Sequence, residues 1–153
     1  MEQALQLAVL VFAALATGGL MVNWMGLGRA MSRLSVSTYV EFHQATNDTF
    51  NPYMPIVVVA ALLGGILIAI LSPGIHSLSG QLAIAGFVCY AAVLAIALST
   101  DVRINKQIAH RSVQSPAGDW APIRARWIRF NIVRTLFPLP GRACYILACL
   151  ASR

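Results

Sequence analysis

The chain has 153 residues, of which 58% are hydrophobic and only 10% are charged. This composition excludes an ordinary soluble domain, and the length leaves room for one small domain covering residues 1–153. The net charge of +6 fits either nucleic acid or anionic lipid. Because the basic residues lie where a membrane topology places them, we expect the lipid bilayer as a partner and no nucleic acid.

Three apolar runs predict membrane-spanning helices at about residues 4–25, 55–71 and 78–100. The first and third carry no charge over about 20 positions, the length that crosses a bilayer. The first run is preceded by no basic segment and is too long for a signal sequence, so we predict a retained helix.

A fourth, less regular run covers residues 127–152 and contains Pro138, Pro140 and Arg142. We predict a kinked fourth span, with Arg142 facing the bundle interior or a polar cap. The predicted fold is therefore all-α, an integral membrane four-helix bundle with cytoplasmic helical extensions.

Lysine and arginine set the predicted orientation. The turn at residues 72–77 has none, whereas the other two connections are basic. By the positive-inside rule these two connections face the cytoplasm, and both termini lie outside the cell (inner) membrane. The basic residues are Arg29 and Arg33 in the first connection, and Arg103, Lys106, Arg111, Arg124, Arg126 and Arg129 in the second.

The cytoplasmic connections also carry helical patterns. Residues 28–50 predict either an interfacial helix or a cytoplasmic extension that leans back into the bundle, ending before Pro52. Span three is expected to continue to about Val113, and Asp119 is a plausible N-cap for the fourth helix. Trp120 and Trp127 are expected at headgroup depth.

Two polar helix faces are candidates for a site. His43, Asn47 and Asn51 recur every four residues, with Gln44 beside them, so they form either a solvated face or the wall of a pocket. Trp127, Asn131 and Arg134 share a second face, opposite Asn105 at the end of span three. Arg134 either anchors the helix at the interface, pairs with Asp101 or Glu41, or holds an anionic or phenolic ligand.

Other chemistry is poorly supported by the sequence. Cys89, Cys144 and Cys149 lie in apolar context, and no C-x-x-C occurs. His76 and His110 have no second ligand at metal-binding spacing, so we predict no metal site. Neither a P-loop nor a dinucleotide fingerprint is present.

Three segments resemble the anthrone oxygenase-like family of small four-span membrane proteins. They are Phe42-His43-Gln44-Ala45-Thr46-Asn47 with Phe50 to Pro55, then Val102-Arg103-Ile104-Asn105, and finally Trp120 with Arg126 to Thr135. The last is the most specific, because it is similar to the family's W…RW…N-x-x-R-T pattern. Pro138, Pro140 and Arg142 depart from the family's smoother last helix.

The resemblance implies a membrane-embedded oxidoreductase or oxygenase that acts on an apolar aromatic or quinone-like small molecule. A cofactor-free mechanism is sufficient: a base removes a proton, and the resulting anion reacts with dioxygen. A scaffold or lipid-binding protein, and a haem or quinone protein with His43 as axial ligand, stay open, as does a homo-oligomer. The candidate catalytic residues are His43, Asn105, Asn131 and Arg134, and the candidate substrate-binding residues are Asn47, Trp127, Tyr39 and Phe42.

Overall fold

The computed structural model describes residues 2–50, 52–110, 112 and 120–152. Within these ranges the chain is helical almost throughout and forms no strand, which confirms the all-α prediction. Helix bounds follow in chain order: α1 Glu2–Met31, α2 Val36–Phe50, α3 Met54–Leu71, α4 Leu78–Ala109, α5 Trp120–Leu136 and α6 Pro138–Ala151.

Three of these helices, α1, α3 and α4, are long and apolar enough to cross a membrane. Their outward faces carry large apolar side chains such as Leu7, Leu63, Ile70 and Val88, each more than half exposed. Such a surface is stable against lipid and costly against water. The three helices therefore indicate an integral membrane protein.

Two stretches of these long helices have the wider π-helical winding. They cover Val22–Gly28 in α1 and Ala97–Asp101 in α4. Each lies at the end of the apolar part of its helix. π-helical turns direct side chains differently from an α-helix and often occur at functional sites. The winding of these two stretches therefore sets the direction of the polar side chains that they carry.

The predicted fourth span is divided into two helices. α5 ends at Leu136, Phe137 forms a turn, and α6 begins at Pro138. Pro138 and Pro140 have no amide hydrogen and cannot continue the hydrogen bonding of α5, but proline is well accommodated in the first turn of a new helix. The segment 127–152 is thus more than kinked: its helical hydrogen bonding is interrupted.

Of the two positions predicted for Arg142, the bundle interior is wrong, since the residue is exposed, and the polar cap stays a prediction. The inward face of α6 is formed by Pro138, Gly141, Tyr145 and Ala148. Arg142 follows Gly141 directly, so it is turned about 100° away from that face.

α5 and α6 together run antiparallel to α1. Asn131 is paired with Asn23, and Thr135 donates to the carbonyl oxygen of Leu20 at 3.3 Å. Further along, Thr17 donates to the carbonyl oxygen of Pro138 at 3.4 Å, and the Gln6 amide donates to Ser152 at 3.2 Å. The divided segment therefore follows α1 over most of its length.

The main core lies between α1, α3, α4 and α6. Small residues let the helices approach closely, and Tyr90 and Tyr145 fill the remaining space with stacked rings whose centroids are 5.5 Å apart. The Tyr90 hydroxyl donates to the carbonyl oxygen of Ala13 at 3.1 Å. Gly65 and Gly86 both face Tyr145, so a side chain at either position would collide with its ring.

A second core lies where α2 folds back over the ends of α1, α4 and α5. It contains Met31, Tyr39, Ile108, Trp120 and Trp127, all buried. Both tryptophans are covered by α2, so their rings pack inside the protein, and their expected position at headgroup depth stays a prediction. The expected single helix over 28–50 is also interrupted at residues 32–35.

Candidate functional site

A cavity of about 160 Å³ lies between the two cores. Its walls come from the π-helical stretches of α1 and α4, the second half of α2, the first turns of α3 and one face of α5. The polar side chains on its walls are Asn23, His43, Thr46, Asn47, Asp101, Asn105 and Arg134, together with the indole of Trp127.

One oxygen atom of Asn105 joins two aromatic residues. The Trp127 indole Nε1 donates to Asn105 Oδ1 at 3.1 Å, and His43 Nε2 lies 3.1 Å from the same oxygen. The rings of His43 and Trp127 are also in edge contact, with centroids 4.8 Å apart. α2, α4 and α5 are therefore held together at the cavity wall.

This arrangement determines the tautomer of His43. An indole N–H is only a donor, so the atom that it contacts on Asn105 has to be the oxygen. His43 Nε2 faces that oxygen as well and has to carry its hydrogen. The other ring nitrogen, Nδ1, is then the unprotonated one, and it has no hydrogen-bond partner among the described residues.

Burial also sets the charge of His43. The side chain is only 2% exposed, and this desolvation lowers its pKa to about 4, against a smaller opposing effect of the hydrogen bond to Asn105. His43 is therefore neutral at pH 7. A neutral imidazole has a free lone pair for a proton, but one with this pKa is a weak base.

A second polar group lies beside the first. Arg134 Nη1 pairs with Asp101 Oδ2, and Arg134 Nη2 donates to Asn131 Oδ1 at 2.8 Å. The Asn23 amide donates to the same oxygen at 3.3 Å. Of the two partners that the sequence offers Arg134, the structure selects Asp101. The ion pair is almost fully buried, with 13% and 4% of the two side chains exposed.

Four buried polar atoms of these residues have no hydrogen-bond partner within the part of the chain that the structure describes. Two can accept a hydrogen bond and two can donate one. An unpaired buried group of this kind costs about 1–3 kcal/mol, so each is a place where water or a polar group of a ligand would stabilise the site. The atoms are His43 Nδ1, Asp101 Oδ1, Asn131 Nδ2 and Arg134 Nε.

The structure brings most of the predicted site residues to the cavity. His43, Asn47, Asn105, Trp127 and Arg134 line it. Asn131 is buried directly behind Arg134 and holds its guanidinium.

Tyr39 and Phe42 do not line the cavity. Tyr39 is fully buried one turn before His43, in edge contact with Trp120 at 4.2 Å between centroids. Phe42 is turned away from that face and is 39% exposed. Asn51 lies outside the described residues.

Three polar wall residues are missing from the sequence-based set, among them Thr46 of α2. Asp101 enters it only as a partner for Arg134, and Asn23 does not enter it. Both lie in the π-helical stretches at the ends of the uncharged runs. A polar side chain that ends an otherwise apolar run was the available signal, because such a residue has to find a partner or water.

No group of three or more His, Cys, Asp or Glu side chains is arranged to hold a metal ion within residues 2–50, 52–110, 112 and 120–152. The histidine on the cavity wall is surrounded by amide and indole groups instead.

Comparison with known proteins gives one match. The family model described as anthrone oxygenase matches residues 42–144, which is more than half of the chain. The matched range contains every polar wall residue of the cavity except Asn23. No curated protein and no solved structure matches the chain significantly.

Proposed function

The chain belongs to the anthrone oxygenase family, and we propose that it is a membrane-embedded oxidoreductase that uses dioxygen to oxidise an apolar aromatic or quinone-like molecule. The observation that carries this proposal is the cavity, where buried polar groups face a space that is otherwise apolar. A hydrophobic site with a few convergent polar groups is the usual form of a small-molecule site.

The proposed placement is a four-span protein of the cell membrane, with both termini outside. The antiparallel course of α5 and α6 along α1 supports it, because the two ends of this segment contact residues toward opposite ends of a spanning helix. The basic connections then lie on the cytoplasmic side, and the cavity lies at the cytoplasmic end of the apolar helices.

For an anthrone-like substrate the proposed reaction replaces a ring methylene with a carbonyl. One CH₂ group and one O₂ give one C=O group and one H₂O, so the carbon loses four electrons and dioxygen gains them. A base first removes a methylene proton, the carbanion adds dioxygen, and the protonated peroxide loses water. This sequence requires no further oxidant.

The wall residues suit these steps. His43 Nδ1 and the Asp101 carboxylate are the proton acceptors at the cavity. Arg134, held in place by Asn131, supplies positive charge where an enolate oxygen would develop. Asn47 and Trp127 would contact the ring. Catalysis by a positioned base contributes about a hundredfold or more.

The experiment that tests this is oxygen uptake by the purified protein in vesicles with anthrone as the probe, corrected for protein-free vesicles. We expect one anthraquinone formed per dioxygen consumed. Asp101→Asn and His43→Gln should lower kcat by about a hundredfold, whereas the matched variants Asp48→Asn and His76→Gln, at exposed positions, should retain it. Uptake that no wall substitution changes would contradict the proposal.

A second candidate is a non-enzymatic scaffold, favoured by the mutual bonding of His43, Asn105 and Trp127. This network satisfies polar groups without any ligand. Mass spectrometry of molecules extracted from the purified protein separates the two, because a scaffold would release lipid alone. The haem alternative fits poorly, since His43 Nε2 is already bonded to Asn105 and the cavity is far smaller than a macrocycle.

A further inference from the structure

The cavity has two chemically different sides. His43, Asp101 and Trp127 are buried on its inner side, and the other polar wall residues are half-buried. The lining residues that are exposed are Pro55 at the start of α3 and Leu98 and Val102 of α4. All three are apolar, and Leu98 is 60% exposed. The cavity therefore opens to the outside between α3 and α4, through an apolar mouth.

The position of this mouth indicates what lies beyond it. Pro55 begins one apolar helix, and Leu98 is close to the end of the uncharged part of another. The neighbouring outward residue Ile56 is 64% exposed. In the proposed placement this surface contacts lipid at the cytoplasmic boundary of the hydrocarbon core. A molecule in the cavity can thus enter from the bilayer.

The volume limits what the inner part can hold. An engineered protein cavity of about 150 Å³ takes up one benzene molecule, and this cavity measures about 160 Å³. It accommodates one six-membered ring, and the other rings of a rigid molecule of three fused rings would have to lie in the mouth. Any further apolar part of the ligand has to extend through the mouth.

We propose that the ligand is a single-ring phenol or quinone with an apolar chain, the ring lying against the polar wall and the chain extending past Leu98 into lipid. The proposal rests on the proposed function and narrows its substrate class. A ring hydroxyl would donate to the unpaired acceptors at His43 Nδ1 or Asp101 Oδ1, and a quinone carbonyl would accept from the unpaired donor at Arg134 Nε.

The test is binding, which does not depend on turnover. The protein in lipid nanodiscs is titrated with phenol, para-butylphenol, para-nonylphenol and anthrone, and each affinity is corrected for partition into the bilayer. The alkyl chain of a bound phenol would lie in lipid, as it does before binding. We therefore expect the corrected affinities of the three phenols to agree within about threefold. Anthrone should bind about tenfold more weakly.

A photoreactive diazirine on the first carbons of the nonyl chain locates the mouth. We expect crosslinks at Pro55, Leu98 and Val102. Leu98→Trp should reduce the affinity for para-nonylphenol about tenfold and that for phenol less than about twofold. The matched variant Leu63→Trp, at an exposed position away from the cavity, should change neither.

Each outcome is decisive. A corrected affinity that falls with every added carbon of the alkyl chain would indicate a closed site and overturn the proposal. Crosslinks spread evenly over the outer apolar surface would also overturn it. Tight binding and oxidation of anthrone without binding of the phenols would overturn this inference and leave the proposed function standing. Phenol binding with crosslinks at the mouth, but no oxygen uptake with saturating anthrone, would support the inference and contradict the proposed function.

Discussion

At the scale of single residues, Asn105 is the acceptor on which the cavity wall depends. Its one side-chain oxygen accepts from both Trp127 and His43, so its loss leaves two buried donors unpaired. The same contact keeps the protonated nitrogen of His43 turned toward α4. The charge state of His43 is thus coupled to the packing of three helices.

This coupling predicts how stability depends on pH. The pKa of His43 is lowered to about 4 by burial, whereas a histidine in an unfolded chain has a pKa near 6.5. Between these values the unfolded chain binds a proton that the folded chain does not, so stability falls as the pH falls from about 6.5 to 4. The full effect is on the order of 3 kcal/mol.

Unfolding in detergent, followed by circular dichroism across this pH range, measures the effect. His43→Gln should flatten the pH dependence, and His76→Gln, at an exposed position, should leave it unchanged. A slope that persists in His43→Gln would assign the titration to another group.

The buried ion pair of Asp101 and Arg134 gives a second residue-scale prediction. Removing one member leaves an unpaired buried charge, which typically costs about 3–5 kcal/mol. Asp101→Leu and Arg134→Met should each destabilise by about this amount. The double variant should recover most of the loss, because it leaves neither charge behind. Thermal unfolding of the four proteins measures the coupling, and strictly additive losses would show that the pair contributes nothing.

The sequence predicts much of this site, for a physical reason. His43 and Asn47 are one turn apart, as are Trp127 and Asn131, and regular helical spacing is readable without a structure. The π-helical windings that turn Asn23 and Asp101 inward leave no such pattern. Spacing also does not show which aromatic residue of α2 faces α5.

At the scale of elements, the long apolar runs predict α1, α3 and α4 because a bilayer crossing fixes both length and composition. Local breaks were harder to place. The interruption at residues 32–35 lets α2 fold back onto α4, where Gln44 donates to the carbonyl oxygen of Ile108 at 3.0 Å. The expected end of span three near Val113 and the expected N-cap Asp119 lie outside the described residues.

Close packing of α4 on α6 gives an element-scale prediction. A side chain at Gly86 would meet the ring of the fully buried Tyr145, and would lie 3.0 Å from the carbonyl oxygen of Gly141. Gly86→Ala should destabilise by about 1–3 kcal/mol. Gly18 has no atom within 4 Å of an added Cβ, so Gly18→Ala should be neutral or stabilise by up to about 1 kcal/mol. Unfolding in mixed micelles measures both, and equal losses would argue against a close α4–α6 contact.

At the scale of the whole molecule, the two cores have different structural roles. The bundle of α1, α3, α4 and α6 is apolar on its outside and supplies the membrane placement. The second core closes one end of it and supplies the polar wall. The cavity lies at their junction, so its polar wall lies directly beside the apolar helices.

The remaining question is whether α5 and α6 cross the membrane together. α6 alone has 14 residues, about 21 Å of helix at 1.5 Å per residue, which is shorter than the hydrocarbon core of about 30 Å. With the last turns of α5 the segment is long enough. Its two ends contact Asn23 and Gln6, toward opposite ends of α1.

Labelling with a membrane-impermeant maleimide tests the topology, in a background where Cys89, Cys144 and Cys149 are replaced by alanine. We expect a cysteine at His76 to be labelled in intact cells, because its turn lacks the basic residues that keep a connection in the cytoplasm. Lys106→Cys should be labelled only after permeabilisation. Ser152→Cys decides the number of crossings: labelling in intact cells, as for His76→Cys, means that the divided segment crosses. Labelling only after permeabilisation would leave three spans, and the antiparallel contacts with α1 would then have to form without a crossing.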